Sequence, residues 1–404
     1  MRIGIDCRTI LNPEKGESAG IGHYTYQLVR YLIKIDKDND YVLFFDRSVQ
    51  QRRLAKFKQN NVFIRFFPFI QYTRLMPAGY SHFLASAFIA REKLDIFHSP
   101  TLSLPTSYQG PSVVTAHDLG IYKMPELYPE KNAAALKKEI FQAIQQTTKI
   151  IAASRSTAND LKEIFGVPDE KIKVISHGLD ERFFEKRSKA QIEVVKNKYG
   201  IKGEYLLFLG TLDPRKNILR IISAYERFRD KIVQVTKRDS STNELTKATI
   251  SDLSIPYQLV LAGDWGFKPR EIKEKIAASK YKEDIIVSGY IEADDLDALL
   301  EGAKMFIFPS LYEGFGLPLT EAMANGVPVI TSNISSMPEI AKGRAVLVDP
   351  LNVAEITQAI YDLLADPELY QDLQEAGREY SQKFNWEKTA QETLDVYKEL
   401  IKIK

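Results

Sequence analysis

Cysteine is nearly absent from this 404-residue chain. Cys7 stands alone, so no internal disulfide can form and nothing argues for an oxidising compartment. Long apolar runs are missing too: no stretch reaches the roughly 18 apolar residues of a membrane span. The opening MRIGIDCRTI carries Asp6 inside its apolar run, where a signal peptide needs an uninterrupted core. The formal net charge is only +2, and no nucleic-acid partner is expected. No zinc-ligand spacing, no G-x-x-x-x-G-K-[ST] loop and no G-x-S-x-G elbow occurs. DKDND near Asp36 lacks the glycine and terminal glutamate of a calcium loop, and the acids at Asp295 and Asp297 fall in a helical pattern that reads as a solvated face. These absences predict a cytoplasmic protein, with peripheral attachment at the inner face of a membrane left open.

What is present is an ordinary globular composition, 44% hydrophobic and 27% charged, on a chain too long for one ordinary core. Two domains are expected, 1–183 and 184–385, with the boundary in HGLDERFFEKRSK, where strand patterning stops and charge rises. Through Phe183 there are 25 basic and 19 acidic residues (+6), and beyond it 30 and 34 (−4), which together give the +2 of the chain. The basic first half admits an anionic partner or a merely solvated surface.

Short apolar runs alternate with helical patterns twice over. RIGIDC, YVLFF, VFIRFF, DIFHS, SVVTAHD, KIIAAS and IKVIS form the first series. EYLLFLG, YQLVLAG, DIIVSG, KMFIFPS, VPVITS and RAVLV form the second. Runs that are apolar throughout suit parallel strands covered on both faces. The alternation predicts α/β architecture: two doubly wound, Rossmann-like parallel sheets presenting their strand ends to a shared cleft. Helices are expected over 22–35, 78–92 and 156–165, the last capped by Ser156 or Thr157. Thr236 to Ser254 reads as a mobile polar insertion. The tail from Phe384 is amphipathic, with Trp386, Ala390, Leu394, Tyr397 and Ile401 at helical spacing.

The candidate chemistry sits at strand ends. Gly20 and Gly22 would let backbone approach a ligand before a helix near His23, or form a tight turn with no ligand. His117 ends a strand with Asp118, placed to donate to a sugar hydroxyl or to be an internally satisfied histidine. His98 occupies a similar position. Arg215 and Lys216 precede a helix expected near Asn217 and match a diphosphate, unless they are a solvated turn. Finally, EGFGLPLTE puts Glu313 and Glu321 eight positions apart, with Pro318 suited to a first helical position. The N–H groups of about Gly316–Thr320 would then lack helical acceptors and favour a phosphate. Beside a phosphate, the two carboxylates serve best as acceptors for sugar hydroxyls. Metal-dependent chemistry is disfavoured, since arginine and lysine already supply counter-charge. A glycoside hydrolase using the two glutamates as acid and base stays open, as does a sugar-nucleotide epimerase, a phosphorylase or a non-catalytic binding protein.

At these residues the sequence resembles the retaining glycosyltransferases of family 4, which have the two-domain GT-B fold. The resemblance covers nearly the whole chain and rests on the E-x7-E pattern, GTLDPRKN, VISHGLD, VSGYI and MRIGID…GIGHYTYQL. It implies a catalytic set of His117, Glu313, Arg215 and Lys216. It also implies a donor site of Gly20, Gly22, Gly210, Arg215, Lys216, Gly289, Tyr290, Glu313, Gly314, Phe315, Gly316, Leu317, Thr320 and Glu321. Glu313 would hold the hexose, Glu321 the ribose and the two cations the diphosphate. The implied reaction moves a hexosyl group from a nucleotide-diphosphate sugar to a glycan or lipid-linked acceptor, with no cofactor. The donor-binding domain would be 184–385 and the acceptor-binding domain 1–183, with the 386–404 helix packing back on the latter. A general likeness to bacterial mannosyltransferases leans to GDP-mannose. His177 stands where the family usually has asparagine before Gly178. Val62–Leu84, with Arg65 and Arg74, would either touch a membrane or a lipid-linked glycan, or be core strand and loop.

Overall fold

The computed structural model describes residues 1–11, 20–67, 78–131, 133–239 and 257–402. Arg74 and most of the polar insertion, from Ser240 to Ser254, lie outside them. The chain divides into two compact units, one made of Met1–Gly178 with Phe384–Lys404 and the other of Leu179–Lys383.

The first unit is built on seven strands: β1 (Arg2–Asp6), β2 (Asp40–Phe45), β3 (Val62–Phe66), β4 (Ile96–Ser99), β5 (Ser112–Ala116), β6 (Lys149–Ala152) and β7 (Ile172–Val174). All pair in parallel, in the order β3-β2-β1-β4-β5-β6-β7. Because side chains alternate across a strand, each apolar run feeds two cores. Ile3, Ile5, Leu43, Val113 and Ile151 point into one, and Val42, Phe44, Val114 and Ile150 into the other. Both faces of β1, β2, β4, β5 and β6 are buried along most of their length, whereas β3 and β7 at the sheet edges are partly exposed and carry Arg65 and Lys173.

The second unit repeats the scheme with β8 (Tyr205–Leu209), β9 (Gln258–Ala262), β10 (Ile285–Gly289), β11 (Met305–Phe308), β12 (Val329–Ser332) and β13 (Val346–Val348). Their order is β10-β9-β8-β11-β12-β13, again parallel throughout. The order reverses between β8 and β11, and that switch point is where such sheets place ligands.

The helix Trp386–Lys402 belongs to the first unit and buries Trp386, Ala390, Leu394 and Tyr397 against the helix Gly20–Ile35. Gly178 makes that docking possible, because a Cβ there would lie 2.4 Å from the Trp386 backbone nitrogen. His177, in the place of the family's asparagine, stacks on the Trp386 ring at 6.4 Å between centroids.

Two helix starts differ from expectation, and a third, expected near Asn217, falls one residue later. The first helix begins at Gly20, so Gly20 and Gly22 form its opening turn and do not make a loop ahead of it. The helix Arg155–Phe165 is capped by Ser154, whose side chain accepts from the Thr157 backbone, which displaces Ser156 and Thr157 from the capping role. Asn217 is not helical: it sits in the left-handed region at φ 64° between a 3₁₀ turn, Pro214–Lys216, and the helix Ile218–Asp239.

Candidate functional site

In the second unit, β8 and β11 are neighbours, so the loops after them converge. Asp213 caps the turn after β8 by accepting from the Lys216 backbone. Asn217 fastens it by donating to Pro309 O at 2.9 Å and Pro350 O at 2.7 Å, at the ends of β11 and β13. Leu311 N donates to Arg215 O at 2.8 Å, and Arg215 in turn donates to Tyr312 O at 3.0 Å.

This stitching delivers Arg215, Lys216 and Glu313 to one point. Glu313 Oε2 lies 3.1 Å from an Arg215 guanidinium nitrogen, and Oε1 pairs with Lys216 Nζ. Lys216 and Glu313 are both buried, and the ammonium also rests 4.9 Å from the Phe308 ring centre. Burial alone would raise the Glu313 carboxyl. Lys216 and Arg215 outweigh it and hold the group below its ordinary value, hence ionised. Burial, with Arg215 beside it, pulls the Lys216 ammonium down, Glu313 opposing. The Glu313 backbone is clamped as well: its carbonyl accepts from Ser335 Oγ at 2.5 Å and Ser336 Oγ at 3.0 Å. The pair of cations expected to face a diphosphate unaided therefore comes as a triad of formal charge +1. A carboxylate tied on both oxygens and held ionised is also a poor general acid, which counts against the glycosidase assignment.

The segment after Glu313 enters the helix Leu317–Ala324 through Gly316, its N-cap at φ +89°. A Cβ there would strain the backbone and meet Met337 Cε at 2.5 Å. Gly314 and Phe315 are buried. Leu317 is the first helical residue and Pro318 the second. Leu319 N and Thr320 N both bond to Gly316 O, at 3.0 and 3.4 Å, so they are not free for an anion as expected. The Thr320 hydroxyl donates to Leu317 O at 2.8 Å in a fully buried position, which removes Thr320 from the expected donors. Gly316 and Leu317 remain as the N–H groups of this turn nearest Glu313 in the chain. Gly210 ends β8 at φ +144°, and a Cβ on it would come within 3.8 Å of the Lys216 side chain. Gly289 and Tyr290 end β10, two strands from β8, with Tyr290 exposed.

Glu321 does not join the triad's ion pairs. It belongs to a second charged group that the sequence concealed. Asp297 was expected on a solvated face, yet it is buried. Its Oδ2 lies 2.9 Å from Arg187 and its Oδ1 3.9 Å from Arg182, which also approaches Asp180 at 3.8 Å. Burial pushes Glu321 up to about 8, Asp180 and Asp297 adding to the rise and Arg182 opposing. Burial likewise raises Asp297 against the pull of Arg182 and Arg187. A helical position gave no sign of this, because Leu296–Glu301 is buried on most of its circumference.

In the first unit, His117 follows β5 and borders a cavity of about 390 Å³. Both ring nitrogens have internal partners: Nε2 donates to Pro100 O at 2.9 Å, which leaves Nδ1 to accept from His177 Nε2 at 3.3 Å. Burial lowers its pKa. A neutral ring engaged at both nitrogens is not set to donate to a sugar, which matches the internally satisfied histidine and not the sugar donor of the two sequence readings. His98 is corrected more sharply: it is fully buried between Tyr397 Oη at 2.6 Å and Thr115 Oγ1 at 2.9 Å, with its pKa pushed down to about 3 by burial. Gly20, at φ +67°, opens its helix with nothing within 4 Å of a Cβ position.

Among the described residues, no helix is long and apolar enough to cross a membrane. No cluster of three or more His, Cys, Asp or Glu residues there could hold a metal ion.

Two parallel α/β units with charged loops at a sheet's switch point define a class, and comparison with known proteins gives it a family. The profile described as Glycosyltransferase Family 4 matches residues 18–183, and that of Glycosyl transferases group 1 matches 191–380. The chain belongs to glycosyltransferase family 4 and is a glycosyltransferase of the GT-B fold. It is 28% identical to O-antigen chain mannosyltransferase B of Escherichia coli over 395 residues, 96% of this chain and 97% of that one. Sucrose-phosphate synthase from Thermosynechococcus elongatus superposes with a TM-score of 0.74 over the whole of both chains at 19% identity. HepE of Anabaena, solved with UDP and glucose, gives 0.71 over 99% of this chain and 100% of its own at 18% identity. At those identities the two structures speak for the fold.

Proposed function

We propose that the protein transfers a hexosyl group, with mannose from GDP-mannose as the favoured donor, to a hydroxyl of a glycan or lipid-linked acceptor in cell-surface polysaccharide synthesis. The observation that carries this reading is the Arg215–Lys216–Glu313 group between the ends of β8 and β11, with Lys216 and Glu313 buried and Arg215 half-buried. Two cations anchored at a switch point match a pyrophosphate, and the neighbouring Gly316 and Leu317 N–H groups extend the donor set. Mannose is supported by the resemblance to the O-antigen mannosyltransferase, and a nucleotide-sugar donor by the fold shared with a UDP-binding protein. On this reading the second unit holds the donor, with Glu321 at the ribose, and the first unit holds the acceptor.

Transfer proceeds with retention and without a metal or an enzyme nucleophile. The bond from the anomeric carbon to the phosphate oxygen breaks as the acceptor oxygen adds on the same face, and the departing phosphate oxygen takes the acceptor's proton. Arg215 and Lys216 stabilise the charge that grows on the leaving group. Where the acceptor is lipid-linked, the first unit makes a peripheral membrane contact. Exposed Leu136 and Phe141, beside Lys137 and Lys138 on one helix, support that placement.

Thermal shifts against UDP-, GDP- and ADP-sugars identify the donor, and NMR of the product's anomeric proton reads retention. A double Arg215→Ala, Lys216→Ala variant that turned over normally would remove the basis of the proposal.

A further inference from the structure

The cavity of the first unit bears on the chemistry of the acceptor. Its volume of about 390 Å³ falls within the range of small-molecule sites, roughly 300–1,000 Å³. Among the described residues that line it, the ionisable ones are Asp6, Arg8, His117, Asp118 and Glu139.

Arg8 is the only lasting cation in that set, and it is already engaged. Its Nε lies 2.9 Å from Asp6 Oδ1 and a terminal nitrogen 2.5 Å from Oδ2, while the guanidinium carbon rests 4.7 Å from the Phe67 ring centre. His117 is lowered by burial and its nitrogens are occupied. Three carboxylates against one guanidinium leave a formal charge of −2 on the lining. Glu139 accepts from Ser103 Oγ at 2.5 Å, and Asp118 accepts from Gly120 N at 3.0 Å. Each carboxylate has room for about four hydrogen bonds, so both keep capacity for hydroxyls. Carbon surface from Ile21, Leu102, Ile121, Tyr128, Leu136 at the rim and Ile140 lines the rest, beside four Ser and Thr residues.

Carboxylates beside an apolar wall suit the hydroxyls and C–H faces of a sugar. A phosphate entering the same space would meet net negative charge and, among the described lining residues, no cation that is not already paired. The geometry points to an acceptor whose reacting end is an uncharged sugar, with any phosphate or lipid group held outside this cavity. This rests on the reading of the first unit as the acceptor-binding one.

The test uses the full-length protein with its donor and a matched pair of acceptors, an alkyl α-mannoside and the 6-phosphate of the same mannoside. The neutral acceptor is expected to have at least about tenfold higher kcat/KM. Glu139→Lys brings the lining to neutrality and is expected to narrow that ratio, while Glu139→Gln narrows it less. A wild-type preference for the phosphate, or an unchanged ratio in Glu139→Lys protein with native melting, overturns the inference. Saturation-transfer NMR on the wild-type protein reads acceptor contact without turnover. Contact with the neutral mannoside supports the inference, whereas contact with the phosphate alone, or with neither, overturns it. Release of nucleotide from the donor into water separates the two levels of the argument. If the donor is hydrolysed but the phosphorylated acceptor is preferred, only this inference fails. If no sugar nucleotide is bound or hydrolysed, the functional reading fails and this inference with it.

Discussion

Replacing Glu313 by glutamine tests the triad at its centre. The carboxylate is buried, with Arg215 at 3.1 Å on one oxygen and Lys216 on the other. At an effective dielectric of about 20, a charge pair at that distance is worth about 5 kcal/mol before desolvation. Removing one member of a buried pair costs about 3–5 kcal/mol, because the remaining charge is left uncompensated. Glutamine keeps one acceptor for Lys216 or Arg215, so the loss is expected near the lower end, about 3 kcal/mol. For a unit of this size that corresponds to a fall in Tm of roughly 6–12 °C. The carboxyl is held below its ordinary value in the folded state. Its contribution is therefore present above the ordinary glutamate value of 4.5 and disappears as pH falls through the folded one. The formal charge also changes from +1 to +2, so a nucleoside diphosphate should raise the variant's Tm more than the wild type's. Differential scanning fluorimetry at pH 7.5, with and without GDP, reads both effects. A Tm within about 2 °C of wild type, together with equal shifts on adding GDP, would refute the idea that Glu313 neutralises a phosphate-binding cation pair.

Glu321 lies at about 8 in the folded protein against an ordinary 4.5, so the folded state keeps a proton that the unfolded state loses. Stability conferred by this group falls as pH rises from 4.5 to 8; Glu321→Gln should gain about 2–4 kcal/mol over wild type at pH 8.5 and nothing at pH 4.5, after allowing for partial exposure. Urea unfolding at both pH values checks it, and an equal gain at both would sink it. His98 and His177 are lowered by burial, so the unfolded chain takes up protons first as pH drops below about 6.5. The first unit should lose about 2–3 kcal/mol between pH 7.5 and 5.5, followed by the emission of buried Trp386, and a pH-independent midpoint would contradict the burial account. Gly178→Ala should cost about 3 kcal/mol or more, since its Cβ would press on the Trp386 backbone; a Tm change no larger than 2 °C in a thermal melt would show that the helix can move aside.

Strand by strand, the sheets were legible because a parallel strand buried on both faces reads as a near-continuous apolar run, as YLLFL and MFIF do, while edge strands such as VFIRF and IKV are only partly buried and keep a cation. The amphipathic tail was equally plain, since Trp386, Ala390, Leu394 and Tyr397 share one helical stripe. Such patterns are local: they record which faces leave water. They do not record what a charged side chain meets once buried. Glu313 meets Lys216 across 97 positions of chain, and only the order β8-β11 makes their loops neighbours. Asp297 read as a surface acid because helical periodicity cannot tell a helix packed on most sides from one half in solvent. His98 likewise finds Tyr397 across 299 positions, in a helix whose docking depends on Gly178. Composition and periodicity by themselves determined the layers and the list of candidate charges. Tertiary structure alone decided which of those charges neutralise one another, because pairing energy depends on distance in space, and strand order sets that distance.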